Sequence, residues 1–158
     1  MPGVPIEYNY PILALLLFGI VLSFIPKEEV RRLFWISFLW GYLESKLSVF
    51  IFSKIFKCYQ YRYAMPFEFL GAPHWLVLGW TFTLMIYFYF LPKTKEWYAF
   101  PIYLFAFTLT STALDKIMNQ IGLLEYINWN PFYRFIIALL LFYAAARHYR
   151  YLIEKNGL

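Results

Sequence analysis

Five long apolar runs dominate this sequence, and they constrain its fold more than any motif does. A helix that crosses about 30 Å of hydrocarbon needs roughly 20 residues, within a range of about 17–25. The runs at residues 8–25, 33–55, 74–91, 97–116 and 131–149 all fall in that range. Composition points the same way. Of 158 residues, 62% are hydrophobic and 15% are charged, where soluble domains hold about 45–50% apolar residues. A chain this short has too much surface for its volume to hide that excess in a core. The expectation is an all-α, polytopic membrane protein. It would be one transmembrane domain over residues 1–158, a bundle of five helices with the lipid bilayer as its first partner.

The same figures exclude disorder, collagen and disulfide-stapled scaffolds. The formal charge is +5, from 14 Lys and Arg against 9 Asp and Glu. These cations gather at the ends of apolar runs, not in a basic stripe interleaved with stacking aromatics, so nucleic acid is not an expected partner. One side of the bundle would receive Lys27, Arg31, Arg32, Lys93, Lys95, Arg147, Arg150 and Lys155. The other would receive Lys54, Lys57, Arg62, Lys116 and Arg134. The larger set marks the inner face, which places the N-terminus outside and the C-terminus in the cytoplasm. The first run follows Glu7 without any Lys or Arg and ends at Pro26-Lys27-Glu28-Glu29. With no small-residue cleavage pattern, it reads as a retained span and not as a signal peptide.

Local chemistry sets the boundaries. Asn130-Pro131 places a capping residue before a proline at a first helical position. Pro73 opens the third run in the same way, Pro92 closes it, and Gly157 lies past the last helix. Trp35, Trp75, Trp97 and Trp129 lie near run ends, as an aromatic belt requires. The segments 56–73 and 119–130 are too apolar for ordinary loops, so they lie along the interface or fold back over the bundle.

Ionisable groups inside apolar runs are costly and therefore informative. Glu44 shares one helical face with Ser37, Gly41 and Ser48, and Lys46 lies about 200° around the helix from it. The face reads either as a buried polar site or as a packing seam with one paired or protonated carboxylate. Thr108, Ser111, Thr112, Asp115 and Asn119 form a second stripe at spacings of three and four. Arg134 falls in the first turn of the last helix, where the dipole disfavours a cation. It calls for a carboxylate, with Asp115, Glu125 and Glu68 as candidates. Glu68 and His74 flank a turn at Gly71 and Pro73 and form a weak acid/base candidate.

Other chemistries find no support. His74 and His148 are the only histidines and are expected on opposite faces, so a bis-histidine haem is excluded. Nothing supports Met–His ligation through Met65 or Met118. The single Cys58 permits neither an internal disulfide nor a cysteine metal cluster and reads as a packed or interfacial thiol. HExxH, CxxC, P-loop and GxSxG motifs are absent from the sequence. No metal site and no cofactor are expected.

The segments YRYAMPFEFLGAPHW, FYFLPK and GLLEYINWNPFYRF carry a resemblance. The chain resembles a group of small, uncharacterised five-span membrane proteins of spore-forming Firmicutes, over most of its length from the second run onward. That resemblance implies a five-span fold and a bacterial plasma membrane, multi-pass, and assigns no residue a role.

The leading functional expectation is a non-enzymatic protein with an outward-facing aromatic and polar pocket. The pocket would bind a small amphiphile or lipid, or dock a partner membrane subunit or a second copy of the chain. Glu44, Glu68, His74, Asp115, Glu125 and Arg134 would supply its polar contacts. One alternative is an intramembrane enzyme acting on a lipid or isoprenoid, with Glu68, His74 or Asp115 as acid/base groups. A second is a small oligomeric transporter or channel with Glu44 and Lys46 in its path.

Overall fold

The computed structural model describes residues 6–64, 67–94 and 96–156, with only the backbone of Glu7 and Asn156. Met65, Lys95, Gly157 and the Glu7 side chain therefore lie outside the described residues. After a short 3-10 turn, helix α1 runs Asn9–Phe24. A long helical stretch over 27–55 follows. In it, α2 (Lys27–Ser37) and α3 (Glu44–Val49) alternate with π segments at Phe38–Leu43 and Phe50–Ile55. Strands β1 (Tyr59–Tyr61), β2 (Glu68–Phe69) and β3 (Ala72–Pro73) precede α4 (His74–Tyr89). Helix α5 (Ala99–Gln120), strand β4 (Leu124–Tyr126) and helix α6 (Pro131–Asn156) complete the chain.

The apolar runs do become helices, but the five-span bundle is overturned. Among the described residues, one helix, Pro131–Lys155, is long and apolar enough to cross a membrane. Helices α1 and α4 have 16 residues each, a rise of about 24 Å against about 30 Å of hydrocarbon. The 27–55 stretch is divided into segments of at most 11 residues. Helix α5 is long enough at 22 residues, but from its tenth residue onward it carries Thr108, Ser111, Thr112, Asp115 and Asn119. Run length counted residues that the helices give to caps and turns, such as Phe90 and Leu91 beyond α4. The multi-pass topology and the inside/outside assignment fall with the five spans.

The helix signals are otherwise chemical and local. Asn130 Oδ1 accepts the Tyr133 backbone N–H at 3.0 Å, the capping bond expected of Asn-Pro at a helix start. Pro73 sits one residue before α4. Pro26 precedes α2, whose first turn carries Glu28 and Glu29 where the helix dipole favours anions. The charges after the first run thus begin a helix, and Glu29 pairs with Arg32 at 2.8 Å.

Two layers of packing position the site. Helix α4 is central, with α1, α2 and the first π segment against it, while α5 pairs with α6. Gly41 makes the closest approach, because a Cβ there would fall 2.4 Å from Thr81 Cα. Above the helices, β1 and β4 pair antiparallel, with Tyr59 opposite Tyr126 and Gln60 opposite Glu125. The Tyr10 hydroxyl reaches up from α1 to the carbonyls of Arg62 and Leu123, at 2.8 and 2.7 Å, and ties this ribbon down. The two aromatic connecting segments therefore fold back over the helices. A second hairpin, β2 with β3, turns through Leu70 and Gly71 at positive φ. Gly71 is required there, since its φ is +80° and the Lys54 side chain lies where a Cβ would be.

Candidate functional site

A cavity of about 80 Å³ lies between residues 40–52 on one side and the α5–α6 pair on the other. Helix α6 faces it with Arg134, Ile137, Ala138, Leu141, Phe142 and Ala145. That spacing of three and one is a single helical stripe. Along this stripe the wall changes from a guanidinium to methyl and phenyl groups over about 16 Å. The cavity is therefore polar at one end and apolar at the other.

The polar end is organised around Arg134. Its Nε donates to Asp115 Oδ2, and one terminal nitrogen donates to Ser111 Oγ at 2.9 Å. The pair is well buried, with side-chain exposures of 15% for Arg134 and 8% for Asp115. Such a pair stays ionised only because each charge is compensated at contact distance. Asp115 and Ser111 stand one helical turn apart on α5, which lets one guanidinium fork reach both. The Trp80 ring lies under the guanidinium, 5.5 Å from carbon to centroid. Of the three carboxylates considered for Arg134 from sequence, the structure selects Asp115.

Glu44 enters the same cavity from α3 and accepts a hydrogen bond from the Ser48 hydroxyl. Burial raises its carboxyl above the ordinary range, opposed by the Ser48 bond and by the Arg134 charge. Tyr59 and Tyr61 close the ribbon side. Burial, then the neighbouring Asp115, pushes the Tyr59 phenol up; burial, then Tyr59 and Asp115, does the same to Tyr61. Both phenols therefore stay protonated. Trp129 lines the cavity as well, and its buried Nε1–H has no hydrogen-bond partner among the described residues.

Three of the six residues singled out from sequence thus converge: Glu44, Asp115 and Arg134. The other three do not join them. Glu125 lies on the ribbon, where Arg62 holds it at 2.8 Å and Gln60 donates to it. These hydrogen bonds, Gln60 first and then Arg62, hold its carboxyl below the ordinary range. Glu68 pairs with Lys54 at 3.7 Å. His74 Nδ1 lies 3.1 Å from the Tyr42 hydroxyl and 3.3 Å from Lys46 Nζ, between the rings of Tyr42 and Phe69. Desolvation, then the Lys46 charge, lowers its imidazole below the ordinary value. Glu68 and His74 thus take separate partners, and Lys46 lies away from Glu44, as the 200° separation requires.

Sequence reasoning missed the aromatic walls. Trp129, read as a belt residue, turns inward. Trp40 lines the cavity and donates its indole N–H to His148 Nδ1 at 3.0 Å, which clamps the first π segment to α6. The available signal was weak: Trp40 sits mid-run, and the π segments shift its face relative to a regular helix. No family model, curated protein or solved structure matches this chain.

Proposed function

We propose that the protein is a membrane-associated binding protein whose cavity takes a small amphiphile, polar end toward Arg134. The observation that carries this reading is the graded wall of α6, from the Asp115–Arg134 pair to Phe142 and Ala145. A ligand with a polar head and an apolar tail matches such a gradient, and a uniformly polar solute does not.

The membrane part rests on α6 and on the outer surface. Only 28% of the most apolar stretch of α6 is buried, whereas the core helix of a soluble protein would be mostly buried. Leu15, Leu16 and Phe24 on α1, Ile102 and Phe105 on α5, and Leu140 on α6 are all exposed. Exposed apolar surface on this scale marks contact with lipid or with another protein. The resemblance to small membrane proteins of Firmicutes points to the bacterial plasma membrane as the compartment.

Native mass spectrometry of the mildly solubilised protein tests the reading, with analysis of released lipids and small molecules. A bound amphiphile in stoichiometric amount is expected. The Arg134→Met variant should lose it, and should also be destabilised by about 3–5 kcal/mol, because Asp115 is left buried without its partner. The double variant with Asp115→Asn restores stability and not binding. A ligand-free protein that forms a fixed complex with another subunit would overturn the reading.

A further inference from the structure

We infer that the cavity recognises an organic ammonium head, in the class of amino-alcohols and their esters, with Glu44 as its counter-ion. The inference deepens the amphiphile reading and rests on it. Three features of the cavity carry it.

The first is charge. Asp115 and Arg134 neutralise one another at contact distance, with Ser111 taking a further guanidinium bond. Glu44 is left as one carboxylate in excess, with the neutral Ser48 hydroxyl as its hydrogen-bond partner. A cation delivered by a ligand is what this end of the cavity lacks. A cation beside Glu44 favours the ionised carboxylate, reversing the effect of burial.

The second is the wall. Trp40, Trp80, Trp129, Tyr59 and Tyr61 line the same cavity as Glu44. Electron-rich ring faces attract alkylammonium groups that cannot be fully hydrated, and they do so best where water is excluded. Trp80 already performs this service for Arg134. A purely apolar ligand would be served as well by aliphatic walls, and an anion would be repelled by Glu44 and by the ring faces.

The third is the Trp129 indole. Its buried N–H is unpaired among the described residues. A buried donor of this kind costs stability until it meets an acceptor. An oxygen near the ammonium, as in an amino-alcohol ester or phosphodiester, supplies that acceptor. The same head occurs free in solution and at the end of a zwitterionic lipid, and the apolar end of the cavity favours the lipid form.

The test is a titration of the full-length protein in a non-ionic detergent, followed by tryptophan fluorescence. The probes are choline, its uncharged carbon isostere 3,3-dimethylbutanol, and short-chain phosphatidylcholine and phosphatidylglycerol. Choline and short-chain phosphatidylcholine should bind saturably, at least about tenfold more tightly than the isostere and phosphatidylglycerol respectively. Tighter binding of phosphatidylcholine than of choline identifies the lipid source, and the reverse identifies the free amino-alcohol. Glu44→Gln should erase the preference for charge, and Glu44→Asp should retain it. Trp129→Phe keeps the ring and should weaken choline more than tetramethylammonium, which carries no oxygen. Equal binding of choline and its isostere to the wild type overturns the ammonium assignment but leaves the amphiphile pocket standing. Saturable binding of phosphatidylglycerol alone also overturns it. If no probe binds and native mass spectrometry finds no amphiphile, the pocket reading fails with it. The comparison of charged and neutral probes uses unaltered protein, so it decides the matter even if a variant does not fold.

Discussion

At one end of the α5–α6 pair, Tyr87 is enclosed by Tyr103, Phe107 and Phe142, with ring centroids 4.9 to 5.3 Å away. Its hydroxyl donates to the Phe142 carbonyl at 3.1 Å, and its own carbonyl accepts from Tyr103. Around the cavity, Trp40, Trp80, Trp129, Tyr59 and Tyr61 are just as aromatic, yet they leave open space between them. The difference is not the supply of rings but what they face. Tyr87 faces other rings and can interdigitate with them at contact distance. The second set shares its cavity with Glu44, Asp115 and Arg134, polar groups that need hydrogen-bond partners which rings do not supply. Charge holds the space open, and rings shape it.

Substitution should separate the two regions sharply. Phe88, 1% exposed and 4.9 Å from the Tyr149 ring, belongs to the packed region. Phe88→Ala should cost about 3–5 kcal/mol, the usual penalty for emptying a ring-sized volume in a close-packed core. Ala138 is just as buried but borders the cavity. Ala138→Val should stay within about 1 kcal/mol of wild type, because the added methyls enter existing space. It should nonetheless weaken ligand binding. Thermal unfolding of both variants beside native mass spectrometry checks the pair. Equal destabilisation would show that the two regions are packed alike.

The legible and illegible parts of the molecule follow the same division between local and collective effects. Helix positions, the Asn130 cap and the need of Arg134 for a carboxylate were readable, because each depends on residues a few positions apart or on one strong charge that demands a partner; which of Asp115, Glu125 and Glu68 supplies it was not. The separation of Glu44 from Lys46 followed from helical geometry alone. Span number was not readable. An apolar run has no mark for where its helix stops, and the π segments at Phe38–Leu43 and Phe50–Ile55 interrupt a run that looks continuous. The ribbon was foreseen only as segments that fold back. The register that sets Gln60 opposite Glu125 joins residues 65 apart and leaves no local signal. That register is also why Glu125, a candidate for the site, stabilises the cap above it instead.

The attachment of that cap can be measured apart from the cavity. Tyr10, 2% exposed, is the link between α1 and the ribbon. Tyr10→Phe removes its donor to Arg62 and Leu123 while keeping the ring, and should cost about 1 kcal/mol. Amide exchange at Tyr59–Tyr61 should rise in this variant while exchange in α4 is unchanged. A uniform rise in both would mean that ribbon and helices open as one unit.

The smallest effect expected is a pH dependence confined to the ribbon. The Gln60 and Arg62 hydrogen bonds lower the Glu125 carboxyl in the folded state. A group lowered on folding stabilises above its unfolded value, and loses that contribution as pH falls through that value toward the folded one. The Arg62–Glu125 pair should therefore be fully effective near pH 7 and be lost as pH falls below the ordinary carboxylate range. Both side chains are substantially exposed, at 50% and 37%, so salt should weaken the effect as well. The unfolding midpoint of wild type should exceed that of Glu125→Gln near pH 7, and the two should converge on acidification. A wild-type advantage over Glu125→Gln that persists into acid would assign the residue a role other than its ion pair, and would blur the line between the charged cavity and its cap.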